Sequence, residues 1–178
     1  MAASAAEPSD PPKPPAGVNR FGWTAYVIAV VALILDQAFK WWVVEIYDLP
    51  ARRSVPVFGP FNLTWVLNDG VSFGMLSAEQ DLMRWALVAF SLIVAAALAW
   101  WARRPERLIV GAGLGLIIGG AVGNAIDRFR LGSVIDFFDA SRLYFPWVFN
   151  TADSAITVGV VLLLLDSVRK DAAPAPLG

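Results

Sequence analysis

A membrane α-helical fold is predicted for this chain: four transmembrane helices with a small β-sheet lying against the outer membrane surface. Three observations predict it. Of 178 residues, 57% are hydrophobic and only 16% charged, with a mean hydropathy of +0.59; globular domains carry about 25% charged residues. Four apolar runs are each long enough to cross a bilayer, for which roughly 17–25 residues are needed. Seven of the eight tryptophans (Trp23, Trp41, Trp42, Trp85, Trp100, Trp101 and Trp147) lie at or near the ends of those runs, where amphipathic rings settle at the headgroup level.

Residues 1–20, rich in Ala, Pro and Ser, read as a disordered tail. The tail lacks a basic n-region and no A-x-A cleavage signal follows the first apolar run, so that run is expected to stay as a helix. The run extends from about Phe21 to Val44, interrupted by Asp36 and Lys40. The second is Trp85–Trp101, 17 residues without a charge, and the third is Leu108–Ile126, 19 uncharged residues with six glycines. Gly111, Gly115 and Gly119 recur every fourth residue and leave one helix face without side chains, which allows close packing against a neighbour within the chain. The fourth run starts near Ala152 and ends near Val168, so the membrane unit is expected over 21–168, with a C-terminal tail at 169–178. In the first long connection, Ser54–Phe58 and Phe61–Leu67 are β-branched and aromatic stretches punctuated by Pro56, Gly59 and Pro60. They read as strands and a turn, with a helix or loop near 77–84. Lysine and arginine divide seven against seven between the two sides. The short inner loop dense in arginine (Arg103, Arg104, Arg107) favours both termini inside.

Absent residue types narrow the chemistry. Without cysteine there are no disulfides, thiolate metal sites or thiol nucleophile. Without histidine the usual base of a serine triad is missing. Scattered aspartates without other clustered oxygen ligands make a poor metal signature, so neither metal nor cofactor is expected. A net charge of −1 gives no reason to expect a nucleic-acid partner.

What remains is carboxylate chemistry. Asp36, Asp127, Asp136 and Asp153 sit at the ends of, or inside, apolar stretches, and an ionisable group near hydrocarbon points to function. Asp36 lies 15 residues into its span, roughly 22 Å deep in a core about 30 Å thick. Asp127 ends the outward third span, Asp153 opens the fourth from the same side, and Asp136 lies between them. The topology therefore brings all four to one depth near the outer interface. Asp36 can pair with Lys40 at i,i+4, Asp127 can serve as a helix-end hydrogen-bond hub beside Arg128 and Asn124, and Asp153 can be a helix N-terminal acid. Asp136, within Val134-Ile135-Asp136-Phe137-Phe138, has no local partner. Asp136 and Asp153 are therefore the best catalytic pair. Two facing carboxylates cannot both ionise easily and share a proton, which lets one activate water while the other protonates a carbonyl.

Five motifs occur in order: Asp36-Gln37-Ala38-Phe39-Lys40, Asn68-Asp69-Gly70-Val71-Ser72-Phe73-Gly74, Gly119 to Arg128 (Gly-Gly-x-x-Gly-Asn-x-x-Asp-Arg), Val134-Ile135-Asp136-Phe137, and Phe149-Asn150-Thr151-Ala152-Asp153-Ser154. Together they resemble the bacterial lipoprotein signal peptidase (signal peptidase II) family over about residues 21–168. The resemblance implies a four-helix aspartyl endopeptidase of the bacterial inner membrane, its site near the periplasmic face and its extracytoplasmic sheet a cradle on the membrane. Its substrate would be a diacylglyceryl-modified prolipoprotein, cut just before the lipidated cysteine, and a globomycin-type cyclic peptide would inhibit it. The catalytic pair corresponds to Asp136 and Asp153. Asp36, Lys40, Asn68, Gly70, Asn124, Asp127, Arg128, Asn150 and Ala152 fall at positions that line or support the site. Asp69 stands where many members have Thr, and Val71-Ser72 replaces a common Ala-Ala pair.

Two other classes compete. A proton-coupled transporter would string acids across the bilayer, whereas these cluster at one interface, and no inverted repeat is visible. A non-catalytic adaptor would leave the apolar setting of Asp136 unexplained. A lipidated substrate is expected to enter laterally, past the glycine-bearing loop Asn68–Leu76.

Overall fold

The computed structural model describes residues 17–70, 77–143 and 147–171. The expected gating loop falls largely at 71–76, outside the described residues, as do most of the N-terminal tail (1–16) and the end of the C-terminal tail (172–178).

Four helices are long and apolar enough to cross a membrane. α1 (Arg20–Trp41) opens with Asn19 as N-cap, whose side chain accepts from the Gly22 N–H, and runs on through one π-helical stretch at Trp42–Ile46. A short α2 (Leu49–Arg52) leads into the sheet, followed by α3 (Ser77–Trp101), α4 (Leu108–Leu131) and α5 (Thr151–Asp171). Three boundaries differ from the sequence reading. Residues 17–20 belong to the fold: the Asn19 N–H donates to the Arg103 carbonyl and its side-chain amide to the Pro105 carbonyl. The stretch 77–84 is the first part of α3. The third span continues past Ile126 to Leu131, so Asp127, Arg128 and Arg130 lie on helix, where basic residues in the last turn favour the dipole. Gly132, at φ 87°, then closes α4 in the left-handed region.

α4 is the central helix. In its apolar stretch 67% of residues are buried, against 11% in that of α3. The glycines are the cause. A Cβ at Gly111 would come within 2.6 Å of the Phe21 carbonyl oxygen, one at Gly119 within 2.5 Å of the Ala29 oxygen, and one at Gly115 would strike the Ala25 oxygen. This stripe seats α1 on α4, so the fourfold glycine spacing does serve packing within the chain. Gly113 and Gly120 do the same for α5, against the Gly159 and Ala152 carbonyls. The outward faces carry exposed Val, Ile, Leu and Phe, and all seven span-end tryptophans are exposed, as expected of a lipid-facing surface.

The sheet has four antiparallel strands in the order β1 (Ser54–Phe58), β2 (Phe61–Asn68), β3 (Val134–Asp139), β4 (Val148–Phe149). The first two match the expected strands. β3, which contains Asp136, reads in the sequence only as an apolar stretch. Its residues are buried on both faces, so it lacks the alternation that marks a strand. Ile135 and Phe137 pack with Val43, Leu49 and Leu63 into a small core, and Phe137 stacks on Phe39 of α1 (centroids 5.3 Å apart). Between Leu63 and Val66 the register of β2 on β3 shifts: Leu63 opposes Phe138, but Val66 opposes Asp136 and Asn68 opposes Val134. β2 thus carries one extra residue, a β-bulge. Unbroken pairing from Leu63 would turn Asn68 to the opposite face from Asp136, since side chains alternate with period two.

Candidate active site

α1, α4, α5, β2 and β3 converge on one polar cluster at the sheet end of the bundle, and it gathers every expected site residue. Asp136, 1% exposed, projects from the middle of β3. Its apparent isolation in sequence is corrected by the fold. Asn68 Nδ2 donates to Asp136 Oδ2 at 3.0 Å, and Asn150 Nδ2 donates to Asp136 Oδ1 at 2.6 Å. Burial pushes the Asp136 carboxyl up to about 6. The charge of Asp153 acts in the same direction, and the two asparagine hydrogen bonds and Lys40 act against it.

Asp153 stands in the first turn of α5. Asn150 Oδ1 accepts from the Asp153 N–H (2.9 Å), and Asp153 Oδ2 accepts from the Asn150 N–H (3.3 Å). This reciprocal arrangement is a capping box, so the helix-N-terminal role read from sequence is present. The other oxygen, Oδ1, accepts from Asn124 Nδ2 at 2.8 Å. Asn150 Nδ2 also reaches Asn124 Oδ1 at 3.2 Å. The two aspartates are therefore joined through a pair of side-chain amides, Asp136–Asn150–Asn124–Asp153.

Behind this chain of amides lies a buried ionic cluster. Lys40 Nζ is 2.9 Å from Asp36 Oδ2 and 2.7 Å from Asp127 Oδ2, and it donates to Asn124 Oδ1 at 3.3 Å. The i,i+4 pair is thus real but shared with Asp127. Asp36 Oδ1 accepts from the Ala152 N–H (2.8 Å) and Asp127 Oδ2 from the Ile135 N–H (3.2 Å). Gln37, within the first motif, completes the cluster. Its Nε2 donates to Asp127 Oδ1 at 3.0 Å and approaches Asp36 Oδ2 and the Gly123 carbonyl. An amide between two ionisable residues in an apolar span is the signal that would have found it. A Cβ at Gly123 would lie 2.6 Å from Asp36 Oδ2, so a side chain there would push on that carboxylate.

The remaining positions frame the cluster. Gly70, at φ 70°, donates its N–H to Asn68 Oδ1 at 3.0 Å, which turns the Asn68 amide nitrogen toward Asp136. Arg128 places positive charge within electrostatic reach of Asp153, Asp136 and Asp127, and its Nε is buried without a hydrogen-bond partner among the described residues. Arg84 of α3, which the sequence marks only as one of the outer basic residues, donates to the Arg128 and Phe129 carbonyls at 2.8 Å each and secures the end of α4. Ala152 is fully buried, its carbonyl against Gly120 and its methyl toward Gly123.

The arrangement supplies two carboxylates, a positive charge beside them and oriented amide donors, which is equipment for hydrolysing an amide. Comparison with known proteins agrees. The family described as signal peptidase (SPase) II matches residues 28–169. A protein named lipoprotein signal peptidase from Caulobacter vibrioides is 51% identical over 155 residues, covering 86% of this chain and 92% of that one. Another of that name from Beijerinckia indica is 42% identical over 149 residues, covering 83% and 89%. A solved bacterial membrane enzyme superposes with a TM-score of 0.72 at 27% identity, covering 91% of this chain and 98% of its own. With the motifs, the four-helix frame and these relatives in agreement, the chain belongs to the signal peptidase II family and is a membrane peptidase of the aspartic type.

Proposed function

We propose that the chain removes signal peptides from prolipoproteins that carry diacylglyceryl on a cysteine, cutting just before that cysteine, with Asp136 and Asp153 as the catalytic pair. The observation that carries this reading is the amide bridge: Asn150 and Asn124 hold one oxygen of each carboxyl at 2.6 and 2.8 Å and contact each other at 3.2 Å. A shared pair of this kind divides its labour. Asp136, whose carboxyl is raised to about 6, serves as the acid and Asp153 as the base. Water adds its oxygen to the scissile carbonyl carbon while giving a proton to Asp153, and Asp136 protonates the carbonyl oxygen. As the tetrahedral intermediate collapses, the C–N bond breaks, the leaving nitrogen takes the proton from Asp153, and Asp136 recovers its own. Arg128 offsets negative charge beside the pair.

Asp36, Lys40, Asn68, Gly70, Asn124, Asp127, Asn150 and Ala152 support the pair. The peptidase unit is residues 21–168, extended by residues 17–20, with flanking tails outside it. It resides in the bacterial inner membrane with both termini cytoplasmic and the sheet cradle and dyad at the periplasmic face. The exposed apolar belt contacts lipid, and a globomycin-type cyclic peptide occupies the dyad as an inhibitor. The decisive experiment incubates a diacylglyceryl-modified prolipoprotein with purified wild type, Asp136→Asn and Asp153→Asn, all verified as folded. Cleavage before the lipidated cysteine by wild type, and a loss of at least about 1,000-fold in each variant, is the expected result. Near-full activity in either variant would exclude the pair.

A further inference from the structure

Each dyad aspartate is preceded by a residue whose backbone N–H is held by a buried carboxylate, and one ammonium joins the two carboxylates. The Ala152 N–H donates to Asp36, one position before Asp153; the Ile135 N–H donates to Asp127, one position before Asp136. Lys40 Nζ lies between Asp36 Oδ2 and Asp127 Oδ2, at 2.9 and 2.7 Å. Its third donor goes to Asn124 Oδ1 at 3.3 Å. An ammonium has three donors, and all three are thus engaged.

We infer that Lys40 is a positioning residue that sets the spacing and orientation of the dyad, an inference that rests on the peptidase reading above. The physical basis is twofold. Asp36 sits on α1 and Asp127 on α4, while the backbones they hold belong to α5 and β3, so the ammonium is the node where four elements are fixed relative to one another. Two buried carboxylates without it would repel and separate, taking Ala152 and Ile135 with them. Lys40, together with Asn150 Nδ2, also sets which way the Asn124 amide faces. With Oδ1 accepting from the ammonium, Nδ2 is left for Asp153. The side-chain oxygens of Asn68 and Asn150 accept from backbone N–H groups, of Gly70 and Asp153; of the three asparagines, Asn124 is the one whose oxygen faces the Lys40 ammonium.

The absence of cysteine makes a selective test available. Lys40→Cys introduces a unique thiol, beside a cavity of about 140 Å³ lined by Gln37, Lys40, Trp41, Glu45, Asp127 and Ile135, through which a small alkylating agent can arrive. Bromoethylamine then restores an ammonium at nearly the original reach, and bromopropane adds the same bulk without charge. Displacement of reacting groups by about 1 Å can cost on the order of 100-fold in rate. Cleavage of lipidated prolipoprotein, measured well below Tm, is therefore expected to show kcat reduced about 100-fold in Lys40→Cys and in its propylated form. KM should stay within about threefold, and aminoethylation should restore kcat to within about tenfold. A residue that merely stabilised the fold would change Tm without this split. Propylated protein with kcat near wild type, or aminoethylated protein that stays inactive, would overturn the assignment.

Should Lys40→Cys fail to fold, Gly123→Ala tests the same clamp without altering charge, because its methyl would press on Asp36 Oδ2. It is expected to lower kcat about tenfold, and unchanged kcat overturns the clamp. Wild type that cuts nothing takes down the peptidase reading and the clamp together; wild type that cuts alongside fully active neutral variants removes the clamp alone.

Discussion

Asp136 holds a proton that an exposed aspartate would have lost near pH 4, and this has consequences for both rate and stability. If the protonated form is the working acid, kcat/KM should fall as pH rises through about 6, the value to which burial and Asp153 push this carboxyl. The limb belongs to the coupled pair rather than to one residue, and a pH–rate profile on lipidated substrate would reveal it; a flat profile from pH 5 to 8 would contradict the assignment. Stability follows by linkage. Because the folded-state value lies above the ordinary 3.8, the folded protein binds more protons between about pH 4 and 6. Stability is lost as pH rises through that window. Asp136→Asn should therefore raise Tm most above pH 6 and least below pH 4, in thermal scans of the same preparation. At this scale the sequence was legible where absence did the work. With no histidine or cysteine, the aspartates were the groups left to consider. The partners of Asp136 were not legible, because Asn68 and Asn150 reach it from other strands and loops rather than from its neighbours in sequence.

The helices were legible as elements because apolar runs bounded by tryptophan leave little alternative in a bilayer. Their ends were not, since α4 carries Asp127, Arg128 and Arg130 beyond its apolar stretch and remains helical. Asp127 is tolerated there because Lys40 matches its charge, and Arg84 secures the helix end by donating to the Arg128 carbonyl. The glycine stripe makes a prediction at the same scale. Gly119→Ala would thrust a Cβ to 2.5 Å from the Ala29 carbonyl oxygen. Backbone cannot yield as a flexible side chain does, so overpacking of roughly 1–3 kcal/mol is expected, read as a lower Tm. Gly17→Ala, with nothing within 4 Å, should leave Tm unchanged.

Across the whole molecule, the two ends of the bundle have different duties. The end bearing the sheet carries Asp136 and Asp153, the pair proposed as catalytic, while the opposite end is fastened by Asn19 on the α3–α4 loop and by the Arg107–Asp166 ion pair at 2.9 Å. Replacing Asn19 with alanine removes the cap of α1 and a tie to Pro105. A cost of about 1 kcal/mol or somewhat more is expected from the cap, seen as a lower Tm with kcat on lipidated substrate unchanged. A fall in kcat without a fall in Tm would show that the two ends communicate. The division into membrane unit and small sheet could be read in the sequence. The register that joins them could not, because it depends on pairing between segments some seventy residues apart.

That register has a consequence for how the chain can change length. The extra residue in β2 is slack. Removing one residue at Thr64 or Trp65 would use it up and leave Asn68 opposite Val134, although Thr64 would no longer be free to bind Asp139 as it now does at 2.7 Å. Adding one residue between Val66 and Leu67 has no such reserve, and would swing Asn68 to the far face of the sheet unless a second bulge formed. Along this strand shortening should be forgiven and lengthening should not, so the lineage of such a protein can lose a residue there more readily than gain one.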